Sequence, residues 1–172
     1  MNKVWRVILY PFALILKLID NVRISKLLSH ATTSDIDKID GADFEKVIAY
    51  LFSKMHFKVR LTPASSDYGA DLIVTKWHIR IAIQCKLYYA HNVGNKAVNE
   101  VYGAKTYYSC DEAMVITNSY YTKNAKALAN SVNVVLLDRK FVELLLRKPY
   151  KNNAKLVLNQ LLITKEKSKF SK

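Results

Sequence analysis

Eight residues, Ile79-Arg80-Ile81-Ala82-Ile83-Gln84-Cys85-Lys86, alternate in character with a period of two. That is the period of a strand, because successive side chains of an extended chain leave opposite faces. Ile79, Ile81, Ile83 and Cys85 share one face, while Arg80, Ala82, Gln84 and Lys86 share the other. Gln84 and Lys86 therefore point the same way. A second apolar run begins upstream at Asp71-Leu72-Ile73-Val74, and Lys76-Trp77-His78 lies between the two. Two strands joined that tightly form a hairpin. Asp71 opens the first strand, so it lies beside the end of the second, where Lys86 can be its neighbour. A carboxylate, an amide oxygen and an ammonium at one hairpin end could serve a divalent cation and a phosphate. The same trio also occurs on ordinary solvent-facing sheets, so the rest of the chain has to decide.

The flanking segments predict an α/β fold in the order α-β-β-β-α-β-α-β-α, a mixed central sheet with helices on its faces. Asp43 is placed to cap a helix whose apolar positions Phe44, Val47, Ile48, Leu51, Phe52 and Met55 keep helical spacing. Phe57 to Thr62 reads as a strand ended by Pro63, and Ser65 to Gly69 as a turn. Beyond the hairpin, a helix is expected over Lys96–Tyr108, a strand over Glu112–Thr117 and a helix over Thr122–Asn130. Val134–Leu137 is wholly apolar, as a buried parallel strand would be, and Phe141–Arg147 completes the pattern. A helix around Leu156 to Leu162 would precede a solvated basic tail.

Net charge is +13, which favours an anionic partner such as nucleic acid or a membrane surface. The charge is uneven. Residues 1–30 hold five basic and one acidic side chain, and residues 151–172 hold six lysines and one glutamate. The body between them is only mildly basic. Two cysteines, Cys85 and Cys110, provide neither a disulfide framework nor a zinc set, which fits a reducing cytoplasmic compartment. Cys85 falls on the isoleucine face and is expected to be a buried thiol.

Val7 to Ile19 is apolar apart from Lys17 and is interrupted by Pro11, shorter than the roughly 20 residues a membrane span needs. Three arrangements fit residues 1–30: an interfacial helix with snorkelling Lys and Arg, a short tilted span, and a helix docked on the folded domain. The first two would attach the chain to the inner face of a membrane. Ser29-His30-Ala31 lies too far beyond the apolar run for a signal cleavage site. The expected organisation is thus residues 1–30 as an N-terminal helix, 31–40 as a linker, 41–149 as the folded domain and 150–172 as a basic extension.

Several segments in order extend the argument. Gly41-Ala42-Asp43-Phe44-Glu45, Asp67-Tyr68-Gly69-Ala70-Asp71-Leu72-Ile73 and Ile83-Gln84-Cys85-Lys86 resemble the Mrr-type restriction endonucleases. So do Val93-Gly94-Asn95-Lys96-Ala97-Val98, Glu100-Val101-Tyr102-Gly103-Ala104-Lys105 and Ile116-Thr117-Asn118-Ser119. Those enzymes are a branch of the PD-(D/E)xK nuclease superfamily. The resemblance runs from about Gly41 to Leu146.

It implies the restriction-endonuclease-like three-layer fold and a DNA endonuclease dependent on Mg²⁺, with Mn²⁺ as a substitute. It implies Asp71, Gln84 and the first-helix acid Glu45 as metal-binding residues, and Lys86 as the catalytic lysine. Gln84 stands where other branches carry Glu. Asp67 is also explained by the turn alone. Lys96 and Lys105 could contact DNA or be ordinary surface groups, Asn118 and Ser119 could line the substrate groove or be plain loop residues, and Gly103 is expected to let its helix pack closely on the sheet. His56, His78 and His91 lack metal-ligand spacing. A homodimer would supply two active sites for cutting both strands. Enzymes of this type often carry a separate recognition domain, for which 172 residues leave no room. The rival reading is a catalytically idle DNA-binding or membrane-associated protein on the same fold.

Overall fold

The alternating strand sits at the centre of a five-stranded mixed sheet, in a computed structural model that describes residues 22–26, 28, 32–63, 68–147 and 150–170. The chain divides into two units, Met1–Ala31 and Thr32–Lys172. In the first, residues 22–26 are helical and the Leu28 amide donates to the Ile24 carbonyl at 2.8 Å. The rest of the N-terminal helix expected over residues 1–30 lies outside the described residues. No helix among the described residues is long and apolar enough to cross a membrane.

In the second unit, α1 (Thr33–Ile36) and α2 (Gly41–Lys54) precede β1 (Lys58–Leu61), β2 (Leu72–Lys76) and β3 (Ile79–Lys86). α3 (Asn95–Tyr107), β4 (Glu112–Thr117), α4 (Lys123–Val132), β5 (Val134–Leu137), α5 (Arg139–Leu145) and α6 (Asn153–Phe170) follow. The order across the sheet is β1-β2-β3-β4-β5, antiparallel for the first three strands and parallel from β3 to β5. β2 and β3 form the expected hairpin, with Leu72 opposite Ile83 and Lys76 opposite Ile79. Trp77 makes its tight turn at φ 53.

Strand parity sorts the core into two layers. Ile73, Ala82, Ala113 and Val115 pack with Ala97, Val98, Val101 and Ala104 of α3 and Ala125 and Ala129 of α4. The alternate row, including Ile81, Ile83 and Met114, faces the side of α2. There Phe44, Val47, Ile48, Leu51 and Phe52 are fully buried. Each such side chain contributes roughly 1.5–3 kcal/mol by leaving water. β5 is parallel and buried as its composition requires, although it lies at the sheet edge, because helices cover it.

Several local details differ from the sequence reading. Asp40, not Asp43, caps α2: its Oδ1 accepts from the Asp43 amide at 2.7 Å. Asp43 falls in the first turn, where it pairs with Lys46 at 3.2 Å. The segment read as a linker contains α1, with Ile36 completely buried. α6 is much longer than the Leu156–Leu162 segment. Gly103 does not sit against the sheet, since a Cβ added there would meet nothing within 4 Å.

The end of β4 is tied to the segment before α2. Arg139 Nη1 and Nη2 donate to Asp37 Oδ1 and Oδ2 at 2.9 and 2.8 Å, and Nη1 also donates to the Asn118 carbonyl at 2.9 Å. Asn118 Nδ2 donates to Asp37 Oδ1 at 2.8 Å. The Arg139 guanidinium holds the Asp37 carboxyl below its ordinary value against an opposing effect of burial, and the Asn118 amide helps.

Two stability measurements check these points. Gly103→Ala should raise stability by about 1 kcal/mol, because alanine is the better residue in an exposed helix interior. Urea unfolding reads it, and a lower midpoint would show that the position needs its glycine. Arg139→Ala should lower stability by about 2 kcal/mol through lost charge-assisted hydrogen bonds. Because the folded Asp37 carboxyl is depressed, its stabilisation is present above the ordinary value near pH 4 and fades as pH falls through the folded value. Asp37→Asn should therefore flatten the acid limb of stability against pH.

Candidate active site

Asp71 lies one residue beyond the Leu72–Ile83 pair, so the antiparallel register sets it opposite Gln84. Its amide donates to the Ile83 carbonyl at 2.9 Å, and its carbonyl accepts from the Thr62 amide at 3.0 Å. Asp71 is 8% exposed and Gln84 4% exposed, so neither side chain can rely on bulk water. Asp71 Oδ2 instead accepts from Gln84 Nε2 and from the Cys85 amide, both at 2.6 Å. The carboxylate thus substitutes for a backbone acceptor where the ladder ends. Gln84 turns its amide nitrogen toward the anion, as charge dictates, and no described residue donates to its Oε1.

Lys86 is on the same face as Gln84 but reaches a different anion. Its ammonium lies 2.8 Å from Glu100 Oε2, with both side chains about a quarter exposed (23% and 27%). The hairpin end holds two pairs, Asp71 with Gln84 and Lys86 with Glu100. Glu100 Oε2 is buried and accepts no properly angled hydrogen bond among the described residues, so its contact with Lys86 is an ion pair only. Lys96, one helical turn earlier, is 3.9 Å from the other oxygen and is itself 90% exposed. Glu100 belongs to α3, and strand spacing could not have found it. Its sequence signals are its place at the head of the matched segment Glu100–Lys105 and the i, i+4 pairing with Lys96.

The turn before Asp71 fixes α3 against the hairpin. Tyr68 and Gly69 take φ of 48 and 88, and a Cβ on Gly69 would collide with the Glu100 backbone carbonyl. Only glycine permits that approach. Glu45 is half-buried on α2. Burial pushes the Cys85 thiol well above its ordinary range, the negative charges of Asp71 and then Glu45 add to this, and Lys86 opposes it. Cys85 is accordingly a neutral, buried thiol. Asp67 lies outside the described residues.

The other expected contact residues are more dispersed. Lys96 is exposed and Lys105 half-buried on α3. Asn118 is 1% exposed, with its Oδ1 accepting from the Tyr88 amide at 2.8 Å and its Nδ2 donating to the Tyr88 carbonyl at 3.0 Å. It clamps the backbone two residues past Lys86. Ser119 Oγ donates to the His91 carbonyl at 2.8 Å and so anchors the same loop.

The Asp71 carboxylate and the Gln84 amide oxygen are donor types that a hard cation takes. Among the described residues, no three His, Cys, Asp or Glu side chains gather into a metal cage. Magnesium needs no such cage, since it commonly binds through one or two carboxylates, retained waters and substrate phosphates.

Known proteins give the same fold. No curated protein matches the sequence. Among solved structures, the protein of unknown function AF1548 is similar at a TM-score of 0.53 and 17% identity, over 59% of this chain and 62% of that one. The DNA modification-dependent restriction endonuclease AspBHI is similar at a TM-score of 0.53 and 17% identity, over 84% of this chain and 40% of that one. The chain thus spans less than two thirds of either protein. A family profile described as restriction endonuclease, the Mrr catalytic domain, matches residues 36–145, which includes every strand of the sheet. The chain belongs to the Mrr restriction endonuclease family.

Proposed function

We propose that the protein is a Mg²⁺-dependent DNA endonuclease that hydrolyses phosphodiester bonds at the end of the β2–β3 hairpin. The observation that carries this reading is the convergence of Asp71 and Gln84 at 2.6 Å, with Lys86 on the same strand face, within a restriction endonuclease domain. Asp71, Gln84 and Glu45 are the residues that would hold Mg²⁺, or Mn²⁺ in its place. The bound cation supplies Lewis-acid stabilisation of the phosphate and acidifies a water.

The remaining roles fall to the chain itself. The Cys85 amide holds the Asp71 carboxylate in place, so its position does not depend on rotamer freedom. The Lys86 ammonium orients the attacking water and steadies the charge developing on phosphorus. Glu100 positions that ammonium, and Gly69 positions Glu100. Gln84 leaves the centre with one negative charge fewer than a glutamate would, which favours one tightly held cation over a pair. Lys96 and Lys105 contact DNA phosphates. Asn118 and Ser119 act on DNA through the Tyr88–His91 loop that they hold. Two copies of the chain would provide the two sites that a double-strand break needs.

Plasmid nicking in Mg²⁺ is the direct test. Wild type should convert supercoiled DNA to open circles, stop with EDTA and resume with Mg²⁺ or Mn²⁺. Asp71→Asn and Lys86→Ala should each lower the rate by about a hundredfold or more, while their thermal midpoints show that the fold is kept. Equal nicking by all three proteins would sink the assignment. An inactive wild type that still binds DNA would instead make the protein a binding module on a nuclease fold.

A further inference from the structure

Three tyrosines lie together on the surface beside this centre. Tyr68 and Tyr107 stack with ring centroids 3.9 Å apart and planes at 19°. Tyr108 meets them edge-on, at 6.5 Å from Tyr68 and 4.8 Å from Tyr107. The stack is not a core element: Tyr68 is 55% exposed and Tyr107 is 56% exposed. Large aromatic faces left in water usually mark a contact surface. Tyr68 also takes φ 48, a conformation that glycine or asparagine would adopt with less strain. The chain thus accepts backbone strain to present a phenol ring at this point.

Cations frame the rings. The Arg60 guanidinium lies 5.4 Å from the Tyr108 ring centroid. The segment after Tyr108 is bonded to two more basic residues: the Lys105 carbonyl accepts from the Cys110 amide at 2.8 Å and the Arg80 carbonyl from the Asp111 amide at 2.9 Å. Asp111 brings a carboxylate to the same segment, where it accepts from the Arg80 amide at 2.7 Å. Stacked aromatics with a guanidinium over one ring and basic residues beside them suit a ligand with flat faces and a negative backbone. Single-stranded nucleic acid has both, and its bases offer a π-face whatever their sequence.

The position is equally specific. Tyr68 precedes Asp71 by three residues, so their Cα atoms are at most about 11 Å apart. Tyr107 lies two helical turns after Glu100, about 10 Å along α3. A strand with its phosphate at the Asp71 centre needs only a few nucleotides to reach the rings.

We propose that Tyr68, Tyr107 and Tyr108, framed by Arg60, Arg80 and Lys105, form a stacking platform for unpaired bases of a DNA strand leading to the Asp71 centre. This rests on the reading of the protein as a DNA nuclease, and it adds a preference for substrates with a single-stranded segment. A blunt duplex presents no free base faces to the rings.

The test uses the full chain in EDTA, where cleavage cannot interfere. Fluorescence anisotropy measures binding of a labelled single-stranded oligonucleotide and of the blunt duplex with the same sequence. Tyr107→Leu should weaken single-strand binding about fivefold or more and leave duplex binding nearly unchanged, while Tyr107→Phe should restore it. A 2-aminopurine base in the single strand should change its fluorescence on binding to wild type and Tyr107→Phe, but not to Tyr107→Leu. If Tyr107→Leu alters the fold, Tyr68→Leu replaces it. Unchanged single-strand binding in the leucine variant, or equal loss on both DNAs, overturns the platform. So does a wild type that binds no single strand, which would point to a protein partner for the rings. Nicking that depends on Asp71 and Lys86, without any effect of Tyr107, would leave the nuclease standing and remove the platform. Single-strand binding that depends on Tyr107, without nicking, would do the reverse.

Discussion

A carboxylate buried as deeply as that of Asp71 must recover in hydrogen bonds what it loses in hydration. It does so from the Cys85 backbone amide and the Gln84 side chain, both on the neighbouring strand. Those two bonds constrain much else. A register slip of one residue would turn Gln84 to the isoleucine face and leave the anion without its side-chain donor. The antiparallel half of the sheet is therefore pinned at the place where the chemistry is proposed. β3 then carries that register into the parallel half through its pairing with β4.

The second constraint is the packing of α3 on the turn before Asp71. Gly69 brings its backbone against Glu100, and Glu100 brings its carboxylate to Lys86. The hairpin thus contributes the lysine, and the crossover helix contributes the anion that holds it. On the far side, Asp37, Arg139 and Asn118 fasten the segment before α2 to the end of β4 and to the Tyr88 backbone. Structural and functional roles are shared among the same residues. Asn118 touches no exposed surface, yet it fixes the loop that leaves Lys86.

Much of this was legible beforehand because strand parity is a strong local rule. Ile79–Lys86, Glu112–Thr117 and Val134–Leu137 have the bounds that the sequence pattern predicts. The family resemblance, carried by short ordered segments, agrees with the profile match and with the mixed sheet. Helix starts were less legible. Asp40 and Asp43 are both residues that cap helices, and three positions separate them. The choice depends on which aspartate can reach the open amide, and spacing alone does not reveal it. Gly103 misled for a related reason: a glycine in a helix reads equally well as close packing or as an exposed weak point.

By itself the sequence determined which side chains share a strand face, where the sheet's central strands run, and which family the chain resembles. These follow from a period of two and from short motifs, which are properties of neighbouring residues. Only the tertiary structure decided that Asp71 bonds Gln84 while Lys86 pairs with Glu100, that Asn118 is buried, and that Tyr68 stacks on Tyr107. Each of those contacts joins elements separated by a loop, a turn or a crossover helix. Its geometry depends on how whole layers pack, and no local pattern encodes that.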